Sequence, residues 1–293
     1  MPENVFKGNA SLKLAPCRDG VLLCNPRDTY IGRAVDIYGE FSFAETLFFD
    51  QILRPGDTAL DLGANIGAHT VHMARLVGPS GRVLAFEPQR TVFQMMCANM
   101  ALNGIGNVDA HWAAVGARPG HILVPRLDPE AVRNFGAFSL IGSDSGDSVP
   151  LVAIDDLQLT ECRLMKLDIE GMEFEALKGA ESTISKLKPV LYIENENREG
   201  AGDMISFILS HGYSAWWHLP AYFNPKNFRG VQDNYFYSEV SPSMICIHGS
   251  ERRTVLEAEP VLGPEDSWAR VAKLADKTGV HAHLRPHPRI VSA

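Results

Sequence analysis

One loop constrains the fold of this chain more than any other feature. Asp61-Leu62-Gly63-Ala64-Asn65-Ile66-Gly67 stands between the apolar run Ala59–Leu62 and a stretch, Ala68–Val77, with helical spacing. A short strand that ends in an acid and small residues, then opens into a helix, is the first strand-to-helix turn of an α/β sheet. Gly63 and Gly67 let the backbone bend sharply and approach a ligand closely. The amides at the start of the next helix favour a negative group. The apolar run Arg82–Phe86 then brings Glu87 to the same sheet edge, 24 residues after Gly63, where a carboxylate accepts hydrogen bonds from a ribose diol.

The rest of the chain continues the alternation. Val21–Cys24 reads as a short strand, Glu40–Leu53 as a helix, Thr91–Leu102 as a helix ending at Asn103-Gly104, and Val108–Val115 as a third strand. Residues 117–150 are rich in Gly, Ser and Asp and read as a hairpin or loop insertion. Arg163–Leu167 and Pro189–Ile193 are strands that end in Asp168 and Glu194. Helical turns are marked between them by Phe174, Leu177, Ile184 and Leu187, and Asp203–His211 is a further helix. Tyr213–Leu219 and two runs between Tyr235 and Ile247 close the pattern as strands with no helix between them, which predicts an antiparallel addition at one edge. The whole predicts an α/β fold with a mostly parallel sheet and helices on both faces. We expect residues 1–53 to be a lead-in segment and helix, 54–250 the main domain, and 251–293 a partly helical or mobile extension.

The glycine pattern selects the cofactor. A pyrophosphate loop needs a second glycine where Asn65 stands. Asp61-x-Gly63-x-Asn65-x-Gly67 instead suits S-adenosylmethionine, which has a ribose and an amino-acid end but no pyrophosphate. The chain resembles the FkbM family of S-adenosylmethionine-dependent methyltransferases from about Tyr38 to His248. The resemblance rests on Tyr38-Gly39-Glu40-Phe41-Ser42, the Asp61–Gly67 loop, Phe86-Glu87-Pro88, Lys166-Leu167-Asp168-Ile169-Glu170-Gly171-Met172-Glu173, Leu177-Lys178-Gly179-Ala180, Tyr192-Ile193-Glu194 and Phe223–Gly230. It implies a class I methyltransferase Rossmann-like sheet of about seven strands, and transfer to an oxygen of a sugar, glycan or secondary metabolite. It places Glu40, Asp61, Gly63, Asn65, Gly67 and Glu87 around the cofactor.

Ligands of open α/β sheets bind beyond the carboxyl ends of the strands. Asp168 and Glu170 are therefore the candidate general bases for a hydroxyl acceptor. Alternatively, a divalent cation on Asp168, Glu194 and Asn195 would lower the acceptor's pKa, and all-oxygen ligands suit Mg2+. His69 beside the loop, His218, and the aromatics Trp216, Trp217, Tyr222 and Phe223 are candidate pocket residues. The competing readings are a nicotinamide-dependent oxidoreductase and a non-catalytic cofactor-binding member of the fold.

Composition narrows the partners. A net charge of −8 without a Lys/Arg-rich run disfavours nucleic acid. No apolar stretch approaches the ~20 residues of a membrane span. The cysteines Cys17, Cys24, Cys97, Cys162 and Cys246 are odd in number and scattered, as in a reduced compartment, so the expectation is a cytoplasmic protein with a small-molecule or glycan acceptor. A homo-oligomer is compatible with the sequence.

Overall fold

The computed structural model describes residues 11–136, 144–196, 198–278 and 287–293. The chain opens with a hairpin of β1 (Lys13–Cys17) and β2 (Gly20–Cys24), followed by α1 (Ile31–Tyr38) and α2 (Phe43–Ile52). Then come β3 (Thr58–Leu62), α3 (Ala68–Val77), β4 (Arg82–Phe86), α4 (Arg90–Leu102) and β5 (Val108–His111). A side sheet follows, with β6 (Ala114–Val115), β7 (Gly120–Val124) and β8 (Asp147–Val152). The main sheet resumes with β9 (Leu164–Leu167), α5 (Glu173–Lys178), α6 (Glu181–Leu187), β10 (Val190–Glu194), α7 (Ala201–Ser210), β11 (Tyr213–His218) and β12 (Ser243–His248). The described residues end with β13 (Arg253–Leu256), β14 (Glu259–Pro260), α8 (Trp268–Thr278) and β15 (Arg289–Ser292).

The main sheet runs β14-β11-β12-β10-β9-β3-β4-β5. From β10 to β5 every pair is parallel. Without the two-residue β14, this is the seven-stranded order of a class I methyltransferase. The antiparallel strand differs in place from the sequence expectation. β12 is inserted between β10 and β11, antiparallel to both, rather than added at the edge. The long segment 219–242 gives the chain enough length to turn back inside β11, and β14 caps the edge.

β3 is buried along its whole length, as a central parallel strand must be. Leu60 and Leu62 pack with Leu177, Ile184, Ile205 and Ile208 on one face. Ala59 packs with Phe48, Phe49, Ile52, Met73 and Val77 on the other. Burial of these side chains contributes roughly 1.5–3 kcal/mol each, and it fixes both helix layers against the strand that carries the loop.

Several boundaries depart from the sequence reading. The strand expected over Val108–Val115 is split, because the chain leaves the main sheet after His111 and joins the side sheet at Ala114. The hairpin expected within 117–150 is the β7–β8 pair. Of the two runs expected between Tyr235 and Ile247, one is a strand; the other contributes a single bridge, Ala221–Val240. The lead-in contains β1 and α1, neither signalled by its sequence. Its hairpin is fastened to α4, where Asn99 accepts from Leu23 N and donates to Leu23 O and Ile66 O. The C-terminal stretch 287–293, patternless in sequence, holds β15 against β13. There Gln51 of α2 donates to Pro288 O at 2.8 Å and accepts from Ile290 N at 3.0 Å. His281 and His283 lie outside the described residues.

Candidate active site

An open cavity of about 920 Å3 lies beyond the carboxyl ends of β3, β4, β9 and β10. Its floor is the close approach of the β3 and β9 ends. Gly63 has φ +80°, and a Cβ there would stand 1.7 Å from the Asp168 carbonyl oxygen. Gly67, also left-handed, backs onto Met96 and Met100 instead; it does not line the cavity.

Glu87 is 5% exposed and faces the cavity. Its Oε2 accepts from Asn65 N at 3.0 Å and its Oε1 from Gln89 N at 2.7 Å. Burial pushes its carboxyl up to about 7, although these backbone amides oppose the shift. Asn65 takes φ +51° and turns its own Oδ1 back to accept from Ile66 N. This brings the loop amide to Glu87 and makes the cofactor loop and the ribose candidate one unit.

Asp61 stands behind this wall. It is 0% exposed, its Oδ2 accepts from Thr70 Oγ1 at 2.7 Å, and its Oδ1 lies 3.5 Å from Lys166 Nζ. Lys166, also buried, donates to Asp168 Oδ2 at 3.0 Å. Burial opposes its charge, but Asp168, Asp61 and Glu45 together hold its ammonium form well above the usual range. Lys166 thus links Asp61 to Asp168, and Asp61 is not among the residues that line the cavity. Glu40 lies elsewhere. It pairs with Arg18 at 2.6 Å and accepts from Asn224 Nδ2 and Phe228 N, which fastens the 224–230 loop.

Glu45 is a cavity residue that the sequence reading missed. It is 4% exposed, accepts from Ser42 Oγ at 2.7 Å, and is pushed up to about 7 by burial. The signal was an acid on the buried face of α2, three and four residues before Phe48 and Phe49.

Asp168, Glu170 and Glu194 meet at the far side, one carboxylate oxygen from each within 4.8 Å of the others. Glu170 takes φ +57° and pairs with Arg198 at 2.7 Å. Burial, then the neighbouring Asp168, pushes its carboxyl up to about 7. Burial and then Asp168 and Glu170 also hold Glu194 well above the carboxylate range. Asn195, expected in a metal set with Asp168 and Glu194, is buried with its Nδ2 toward Met244 Sδ, and among the acids Glu170 joins the other two.

Other candidates resolve as follows. His69 is buried against Phe41 and Phe49 with its Nδ1 3.8 Å from Glu45 Oε2, and is not itself among the lining residues. His218 is buried on the Tyr192 hydroxyl. Trp217 lies in the core with its indole N–H on Asp266. Of the aromatic group, Tyr222 lines the cavity, joined by Tyr30. The segment Asn134–Gly136 closes the side above Asn65. Phe135 N donates there to Asp28, which also accepts from Tyr30 N and Gly32 N at the start of α1.

Comparison with known proteins identifies the family. A family described as the methyltransferase FkbM domain matches residues 61–215. The chain is 28% identical over 183 residues to the methyltransferase sdnD of Sordaria araneosa, covering 51% of this chain and 70% of that protein. It is 26% identical over 194 residues to the 31-O-demethyl-FK506 methyltransferase FkbM of Streptomyces tacrolimicus, covering 55% and 74%. Among solved structures, the FkbM methyltransferase of Methylobacillus flagellatus KT aligns at 22% identity and a TM-score of 0.45, over 69% of this chain and 50% of that one. The family match removes the nicotinamide alternative. The chain belongs to the FkbM methyltransferase family and is an S-adenosylmethionine-dependent methyltransferase.

Proposed function

We propose that the protein is an O-methyltransferase acting on a hydroxyl of a sugar, glycan or secondary metabolite. The observation that carries this reading is the meeting of Asp168, Glu170 and Glu194 at the strand ends beside Gly63. S-adenosylmethionine bound here would supply an electrophilic methyl group. Glu87 would accept from its ribose diol, Gly63 and Asn65 would allow it close backbone approach, and Glu45 would offer a carboxylate to its ammonium. The acceptor hydroxyl must lose its proton as the oxygen takes the methyl group. Glu170, held near 7, is matched to that transfer at neutral pH. Lys166 fixes Asp168 beside it. Positioning supplies most of the rest, on the order of 7–11 kcal/mol in well-aligned systems.

Charge narrows the acceptor. Among the described lining residues are Glu45, Glu87, Asp168, Glu170 and Glu194, and no Lys, Arg or His. Such a lining offers no cation to a phosphorylated or carboxylated acceptor and suits neutral polyols, while Tyr30 and Tyr222 offer faces to a ring. The Streptomyces relative, by its name, acts on 31-O-demethyl-FK506, which supports an oxygen acceptor. The test is incubation with S-adenosylmethionine and a panel of hydroxylated sugars and glycosides, with products read by mass spectrometry. A methyl group gained on oxygen is expected; methylation confined to nitrogen or carbon overturns the reading. Glu170→Gln should lower kcat by about 100-fold with little change in cofactor KM.

The carboxylate triad favours one further reading. A divalent cation fits its all-oxygen donor set, with Asp168, Glu170 and Glu194 as ligands. It would supply Lewis-acid activation of the acceptor oxygen. Activity that survives EDTA unchanged and does not respond to added Mg2+ rules it out.

A further inference from the structure

We propose that Gln89 is the residue that reads the adenine of the cofactor, through a two-point hydrogen bond from its carboxamide. This deepens the cofactor site proposed above and rests on it. The base must lie on the opposite side of the ribose from the sulfur. With Gly63 and Asp168 at the sulfur end and Glu87 at the ribose, the remaining end of the cavity is formed by Pro88, Gln89, Ala113, Ala114, Val115 and Met172. Two chain segments build it. Glu87 N donates to His111 O, and Trp112 Nε1 donates to Pro88 O, so the turn after β4 and the turn after β5 are clamped side by side. Ala114 and Met172 pack together beneath. The result is an apolar slot suited to a flat ring, with one polar side chain in it.

That side chain has nothing else to do. Gln89 is 6% exposed, yet its Nε2 has no hydrogen-bond partner, and its Oε1 takes none among the described residues either. A buried carboxamide left unpaired costs on the order of 1–3 kcal/mol. Its backbone, by contrast, is fully engaged: Gln89 N donates to Glu87 Oε1, and Phe93 N donates to Gln89 O. The residue is thus fixed on the same carboxylate that serves the ribose, and its carboxamide is free for the base. A glutamine amide matches the N6/N7 edge of adenine in particular, accepting from the 6-amino group and donating to N7, whereas hypoxanthine presents two acceptors on that edge. No carboxylate lies at this end of the cavity to compete for the amino group.

The test uses two ligands and one isosteric variant. Calorimetry with S-adenosylhomocysteine and S-inosylhomocysteine, in which a carbonyl replaces the 6-amino group, should show wild-type protein preferring the adenosine form by about tenfold or more. Gln89→Met keeps the side-chain length, and it should weaken the adenosine form by about tenfold and abolish the preference. A wild-type protein that binds both equally overturns the proposal without any variant. So does a variant that melts like wild type and keeps the wild-type ratio. If wild type binds neither ligand, the cofactor site itself fails, and this inference falls with it; that outcome is recognised by the absence of heat before any variant is tried.

Discussion

Glu87 shows how one residue links structure to ligand. Each of its carboxylate oxygens accepts one backbone N–H, from Asn65 and from Gln89, which leaves further lone pairs toward the cavity. Because burial holds the group near 7, part of the ligand-free protein carries it protonated at neutral pH. The ionised form is the better acceptor for a diol. Raising the pH from 6 to 8 should therefore tighten S-adenosylhomocysteine binding by about tenfold through this group, and Glu87→Gln should weaken binding and leave only the dependence that Glu45 contributes. Titration calorimetry at several pH values decides it; a wild-type affinity that stays constant over the range contradicts the ribose role. Gly63 makes a harder constraint. Its alanine variant would push a methyl group into the Asp168 carbonyl and also force φ +80° on a residue with a Cβ. We expect a loss on the order of 3 kcal/mol or more, seen as a collapse of the melting temperature. Glu87 and Gly63 were legible in the sequence because the strand end, loop and next strand end follow one another closely. Asp61 and Gln89 were not, because spacing along a strand does not say which side chains a neighbouring lysine encloses or which carboxamide is left without a partner.

At the scale of elements, Asp28 ties two segments that the sequence treated as connections. It accepts from Gly32 N and Tyr30 N at the start of α1 and from Phe135 N on the cavity side. Asp28→Ala should leave these amides unsatisfied, destabilise the protein by about 2 kcal/mol, and weaken cofactor binding by releasing Asn134–Gly136. Paired melting and calorimetry would check it; a destabilised variant with wild-type affinity would confine Asp28 to a folding role. The sheet strands were readable because each is a short apolar run bounded by turn residues. α1 was hidden by its short length, with Gly32 in its first turn, and β1 by Pro16 within it. On α2 the buried face is Glu45, Thr46, Phe48, Phe49 and Ile52. An acid on that face makes it look polar in the sequence.

For the molecule as a whole, the cavity concentrates negative charge that the fold must tolerate when no ligand is bound. Glu45 is held near 7 against an ordinary 4.5. Its raised value means that the folded state binds the proton more tightly. Its stabilising contribution is complete below 4.5 and is lost as pH rises through 7. Glu45→Gln should thus be more stable than wild type at pH 8, by on the order of 1–3 kcal/mol, and the advantage should vanish toward pH 5. The difference between the two melting curves is the proper readout, because burial holds His218 neutral and its protonation opposes the trend in both proteins. A variant without any advantage at pH 8 would contradict the burial cost. The contact of Gln51 with Pro288 and Ile290 spans 237 and 239 positions of chain. During synthesis the helix that carries Glu45 therefore waits, with one flank uncovered, until residues 237 positions further on have left the ribosome. A chain halted before Pro288 should retain the sheet yet expose that flank to proteases, so this helix is held from both directions of the polypeptide.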